Sequence, residues 1–447
     1  MTLPARMTLP ASLAGAGTGP PGLVTLPPPK RPAEVVARLQ DGMGELPFWW
    51  KPRVPLAPLV LTAAAYAELA GAARALLALI RRAVDALGAT AMERNERLGM
   101  DPRFAVLYGD EATEAELAGW QYRPDVVLTA AGPKFIEFNV SAATGGMPHT
   151  HYIQRAWQRI FAGAGLRCAS PFAVRAAALD RLCAARGLPR SVALVKELRP
   201  DPTEAPVYGT QVSYLRGLGY RADALLAEEL ADYAGPRYGV ALRQVVAQER
   251  LDAGTGLDPL VRGAANAQLT LAPQSSYLLA NKQVLALLSA GQPWMSAADT
   301  ELARRYLPWT RPVADGPAQF RGRTRDLPAL LLAERRSLVL KNGTGNSGQQ
   351  VIIGKITEPG PWERAVAAAL AQGTWTVQEF AEPASFPAWL WDTDSASAVL
   401  TPVSGVLSPY VVDGRDAGCM LRYDLDNARA LVTVAQPSVR FNTVMYR

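Results

Sequence analysis

Asp125, Glu137 and Asn139 are two carboxylates and a carboxamide set on or beside two β-type runs, Val126–Thr129 and Phe135–Val140, which a turn with Gly132 and Pro133 joins. That pattern reads as a hairpin. Strand side chains alternate, so Glu137 and Asn139 share one face, and in-register pairing brings Asp125 beside Glu137. Oxygen donors grouped in this way suit Mg²⁺ carrying a phosphate. A solvated polar face on an edge hairpin gives the same letters, and the stretch alone leaves both readings open. Arg123 enters the first strand two residues before Asp125.

A second chemical stretch is LVLKNGTGNSGQQVIIGK, residues 338–355. Gly343, Gly345 and Gly348 match G-x-G-x-x-G by letters. A dinucleotide fingerprint needs a helix after the loop, and the β-branched Val351–Ile353 follows instead. A P-loop fails as well, since no Lys-Ser/Thr closes the glycines. What remains is a hairpin loop containing Ser347, whose backbone N–H groups can close over phosphate oxygens, with Lys341 as a point charge at its base. A solvent-exposed hairpin tip is the alternative. Gln378, Glu379 and Phe380 end a later strand at the edge of the same unit, where backbone groups can read a purine. His149 and His151 are the only histidines. Without a third His or Cys ligand they point to a surface or substrate contact rather than a metal.

The elements that must carry these residues fit an α/β (α+β) chain. Its 447 residues allow two to four domain-sized units, and 49% hydrophobic with 19% charged residues is globular composition. A net charge of +6 is too dilute for nucleic acid but compatible with small anions. Cys168, Cys183 and Cys419 lack metal spacing and read as buried free thiols in a reducing compartment. No run of about eighteen apolar residues is seen, so no membrane span and a cytoplasmic location are expected. Residues 1–30, rich in Pro and Gly, read as a disordered lead-in, and Phe48, Trp49 and Trp50 as core. Residues 31–165 hold helices, a short strand at Phe104–Tyr108 and the hairpin. Residues 166–275 alternate as a βαβ layer with parallel pairing and a turn at Arg262–Ala267. Residues 276–383 begin with a helix running through Leu288, then form a lid ordered strand, glycine loop, strand, helix, strand. Residues 384–447 return to the core with strands at Leu400–Leu407 and Tyr410–Val412.

In this order the motifs resemble the circularly permuted branch of the ATP-grasp superfamily, and are similar to the synthetase half of glutathionylspermidine synthases. In that branch an Arg-x-Asp pair precedes a Glu-x-Asn metal motif and the phosphate lysines come later. Arg123-Pro-Asp125, Glu137-Phe-Asn139, Asn281-Lys282 and Lys341 follow that sequence. The resemblance implies an ATP-grasp fold in permuted order and an ATP-dependent carboxylate–amine ligase. Such an enzyme works through an acyl phosphate and releases ADP and phosphate. It implies Mg²⁺ (Mn²⁺ is admissible) on Asp125, Glu137 and Asn139, with Lys282 and Lys341 neutralising the phosphates. Gln378, Glu379 and Phe380 would be the adenine hinge, and Ser347 with Gly343, Gly345 and Gly348 the closing loop. Arg123 would orient the acyl phosphate, and Arg422, in the strand-like CMLRYD, would touch substrate. The implied partners are a small-molecule or peptide acid and an amine, with no nucleic acid or membrane; a homodimer is compatible. The amidase domain of some members is absent. The competing readings are a degenerate nucleotide-binding scaffold that serves as an interaction partner, and a kinase-like activity whose phosphorylated acceptor is the product.

Overall fold

The computed structural model describes residues 20–47, 50, 52–197, 204–345, 350–425 and 438–447. Its spine is one long strand near the C-terminus. β17 (Ser397–Val412) pairs through its first half with β16 (Phe386–Asp392) and through its second half with β4 (Gln121–Thr129). Along its other edge, from Ser404 onward, lies β18 (Arg415–Asp424). β4 continues into its hairpin partner β5 (Gly132–Val140). Beyond β18 come β19 (Val439–Tyr446), β3 (Leu59–Leu61) and β1 (Leu23–Val24), while β2 (Arg53–Pro55) closes the far edge on β16. Where two strands were expected after Leu400 there is one, with a register shift between Pro409 and Val411. A proline has no N–H for the ladder, and a bulge absorbs it. The lead-in ends earlier than residue 30, because Leu23–Val24 pair with Val60–Leu61; residues 1–19 lie outside the described chain.

Both faces of this sheet are covered. Helix Ala63–Asp85, capped by Thr62 accepting the Ala65 N–H at 3.3 Å, joins Val126, Leu407 and Leu421 in one core. It is the one helix among the described residues long and apolar enough to cross a membrane, and half of its most apolar window is buried inside the protein. Helices Met147–Ile160 and Pro171–Arg186 pack Trp157 and Phe172 with Tyr410 and Met420 in a second core. Trp50 belongs to that core, while Phe48 and Trp49 lie outside the described residues.

A four-stranded sheet follows in the order β7 (Arg221–Leu226), β6 (Ser191–Lys196), β8 (Tyr238–Arg243), β9 (Ala267–Leu271), all parallel. Apolar runs such as Val192–Val195 suit strands buried on both faces. Arg262–Ala267, read as a turn, instead closes helix Asp258–Ala265, which Pro259 starts in its first turn. Phe104–Tyr108 is not a strand: Asp101 accepts the Arg103 N–H at 2.9 Å and opens a 3₁₀ helix, Pro102–Leu107.

The lid has its own antiparallel sheet, ordered β10 (Thr310–Pro312), β15 (Trp375–Glu379), β13 (Leu338–Asn342), β14 (Val351–Ile353). Helix Pro359–Gln372 covers it, and a small hairpin of β11 (Pro317–Phe320) and β12 (Arg323–Asp326) sits beside it. Leu330, Leu340, Trp362 and Val377 form a core separate from the other two.

Candidate active site

The hairpin register pairs Asp125 with Glu137 and Arg123 with Asn139, so all four side chains share a face. Asp125 does not look into open space. Its Oδ1 is 2.7 Å from Arg422 Nη2 of β18, accepts from Ser408 Oγ of β17 at 2.8 Å, and lies 3.8 Å from Arg123 Nε. Burial alone would raise this carboxyl, but Arg422 and Arg123 hold it below the usual carboxylate range. Asp125, expected as a metal ligand, is here paired with Arg422 and lies beside Arg123. Arg123 Nη1 also donates to Gly145 O at 2.7 Å, which Tyr410 joins at 2.6 Å.

Two lysines arrive from other parts of the chain. The helix expected through Leu288 breaks at Asn281, whose extended backbone ends helix Ser275–Ala280 and whose side chain caps the Gln283 N–H at 2.9 Å. Lys282 therefore opens helix Lys282–Ala290, with Nζ 3.2 Å from Glu137 Oε1 and donating to Gly345 O. From the lid, Lys341 Nζ donates to Ile136 O of the hairpin at 2.9 Å and to Gln378 Oε1 at 2.7 Å. Burial pulls Lys341 down to about 8, against the pull of Glu137. Arg123, Arg422, Lys282 and Lys341 thus gather around Asp125 and Glu137. Gly343 allows the loop this approach: its N–H donates to Thr374 O at 2.9 Å, and a Cβ there would meet that same oxygen at 2.9 Å.

An open cleft is lined by Glu137, Asn139, Lys282 and Gly343–Gly345 together with Met100, Phe104 and Phe138, and it reaches Gln274 and Tyr277. Behind that end, Arg243 closes β8, donating to Gln274 Oε1 at 3.1 Å and lying 5.3 Å over the Tyr277 ring. The sequence reading missed Arg243, Gln274 and Tyr277. Their one signal is an arginine ending an apolar strand of the βαβ layer, and strand order is needed to give it weight.

Other expected residues fall elsewhere. Ser347 and Gly348 lie outside the described residues. Gln378 is buried, with its side chain committed to Lys341 and Thr310. The N–H groups of Glu379 and Phe380 donate to Trp309 O and Ser337 O at 2.7 and 2.8 Å, so a purine at this edge would be read by carbonyls rather than by these two N–H groups. His149 and His151 are buried rather than on the surface, and burial drives both to about 4. The three cysteines are free; Cys168 is only half-buried.

No group of three or more His, Cys, Asp or Glu side chains that could hold a metal is found among the described residues. Glu137 and Asn139 still offer a fit. Asn139 spends Nδ2 on Arg123 O at 3.2 Å, which leaves Oδ1 as an acceptor beside the Glu137 carboxylate in the cleft. Mg²⁺ takes one or two protein oxygens and fills its shell with water and phosphate.

No family model and no curated protein matches the chain. Among solved structures it is similar to the apo form of a glutathione synthetase-like effector from Globodera pallida, with 12% identity and a TM-score of 0.60, over 93% of this chain and 98% of that one. A Methylobacillus flagellatus protein described as a gamma-glutamylcysteine synthetase aligns with 11% identity and a TM-score of 0.43, over 82% of this chain and 87% of its own. The first likeness shows a shared mixed α/β fold over nearly the whole of both chains; the second adds nothing to it.

Proposed function

We propose that the chain is an ATP-dependent carboxylate–amine ligase of circularly permuted ATP-grasp type. One observation carries the reading: Lys282 and Lys341, from separate units, converge with Glu137 beneath Gly343–Gly345. A polyphosphate is the ligand that such a cationic floor under a close-approaching glycine loop would hold. The fold shared with a glutathione synthetase-like protein supports the class. The order of Glu137 and Asn139 before the lysines supports the permutation.

In this reading the γ-phosphoryl group of ATP passes to a substrate carboxylate, giving an acyl phosphate and ADP. The amine then attacks the acyl carbon, and phosphate leaves as the amide forms. Lys282 and Lys341 neutralise the phosphates, which is most of what phosphoryl transfer asks of a protein. Glu137 and Asn139 would hold Mg²⁺, which when bound supplies further charge neutralisation. Arg123, anchored on Asp125 and Gly145, orients the acyl group and stabilises its oxyanion. Gln274, Tyr277 and Arg243 bound the end of the cleft left for the acid or amine. The lid excludes water that would hydrolyse the intermediate. ATP in this role fits a cytoplasmic setting.

The test is ADP release that requires both an acid and an amine, with the product mass separating an amide from a phosphorylated acceptor. Nucleotide binding without any turnover across acid and amine panels would instead favour the degenerate scaffold.

A further inference from the structure

Glu137 and Lys282 suit two different ligands, and here they hold one another. Lys282 Nζ lies 3.2 Å from Glu137 Oε1 and donates to Gly345 O, while the Lys282 N–H donates to Gly343 O at 3.0 Å. One residue thus ties the glycine loop to helix Lys282–Ala290 at two carbonyls, and to β5 at a carboxylate. The two side chains are 7% and 22% exposed, so solvent screens their attraction only in part. Lys341 stands in the same field, drawn by Glu137 and repelled by Lys282. One carboxylate is therefore shared by two ammonium groups.

These contacts compete with the ligands that the same atoms suit. A divalent cation beside Glu137 would repel an ammonium 3.2 Å from that carboxylate. An ammonium is a donor only, and one given to Gly345 O and Glu137 has less left for phosphate oxygens. Gly343 and Gly345 turn carbonyls toward Lys282, whereas a backbone cradle holds phosphate with its N–H groups. Those N–H groups are spent nearby: Gly343 donates to Thr374 O at 2.9 Å, Thr344 to Asn342 Oδ1 at 3.0 Å and Gly345 to Asn342 O at 3.3 Å.

We propose that the contact of Lys282 with Glu137 and Gly345 is an autoinhibitory latch. It keeps the glycine loop carbonyl-inward, and a divalent cation at Glu137 opens it, which frees the loop and unmasks Lys282 and Lys341 for a polyphosphate. The latch stands on geometry; the ligands that release it rest on the ligase reading.

The expected sign is opposite to ordinary binding, in which a ligand protects the segment it meets. Hydrogen exchange of the Gly343, Thr344 and Gly345 amides is followed on the full chain with magnesium chloride, with sodium chloride of equal ionic strength, and with neither. Magnesium chloride should speed these amides severalfold in wild type, and sodium chloride should not. Glu137→Gln and Lys282→Met each break the latch, so in both the amides should exchange fast from the start and ignore Mg²⁺. Either variant suffices if the other does not fold. The latch is overturned if Mg²⁺ slows these amides or leaves them unchanged in wild type, if it speeds them equally in a variant, or if the variants exchange as slowly as wild type. Tripolyphosphate titrated by calorimetry in EDTA is scored separately. Its failure to bind wild type and Glu137→Gln tells against the polyphosphate reading, while the exchange data still decide the latch.

Discussion

Lys341 carries its ammonium from the lid onto the hairpin carbonyl of Ile136, and burial leaves it near 8, close to working pH. A bound phosphate favours the charged form and raises that value, so ATP-analogue binding should take up protons around pH 8 to 9. Affinity should be fully present below about 8 and fall as pH rises past it. Calorimetry at pH 8.5 in Tris and in HEPES should therefore give different apparent enthalpies; equal ones would mean that Lys341 does not titrate on binding. Lys341→Ala should weaken the analogue roughly tenfold to a hundredfold, the loss of one charge-assisted bond of about 1.5–3 kcal/mol. Asp125 poses the opposite case. Asp125→Asn removes the carboxylate buried between Arg422 and Arg123 and should cost about 3–5 kcal/mol in urea unfolding at pH 7. Because its native carboxyl sits below the usual range, the wild-type advantage is complete above about pH 4 and fades as pH falls through the depressed value. At this scale the sequence was informative only locally. Asp125 and Glu137 meet within one hairpin, whereas Ser408 reaches Asp125 from 283 positions away.

The turn after β5 is the element on which the hairpin's geometry rests. Gly146 has φ +84°, and a Cβ there would meet Met420 Sδ at 2.4 Å and Tyr410 Oη at 3.1 Å. Gly146→Ala should cost about 1–3 kcal/mol and loosen Gly145, whose carbonyl holds Arg123 and Tyr410. The variant should lose turnover more than nucleotide affinity, and unchanged urea stability would contradict the strain. Hairpin, lid order and parallel layer were legible because their periodicities are local and strong. The break at Asn281 was not: LLANKQVLALL reads as continuous helix, and only the amide capping Gln283 turns Lys282 toward Glu137. Phe104–Leu107 misled in the other direction, since its letters favour a strand and the preceding Asp101-Pro102 winds them into a 3₁₀ turn.

For the molecule as a whole, the lid has a core of its own and meets the hairpin through contacts such as Lys341 on Ile136, so rigid-body movement of the lid is the expected outcome of nucleotide exchange. Hydrogen exchange should show lid amides slowed as a group by an ATP analogue, while the parallel sheet changes little; uniform protection would speak against a mobile lid. The buried histidines set a different global property. His149 and His151 stay neutral to about 4, while an unfolded histidine takes its proton near 6.5. Between those values the unfolded chain binds more protons, so stability should fall as pH drops from 6.5 to 4, by at most about 3 kcal/mol per histidine. Urea midpoints at pH 7 and pH 5 check this, and His151→Phe should flatten the slope. The shared strand β17 has one more consequence, and it is felt during synthesis. Its partner β4, with the hairpin mate β5, leaves the ribosome hundreds of residues before it does, and at roughly 5–20 residues per second that means tens of seconds with the hairpin's edge and apolar faces uncovered. Expression yield should therefore depend on chaperone supply and on leaving the last strands intact.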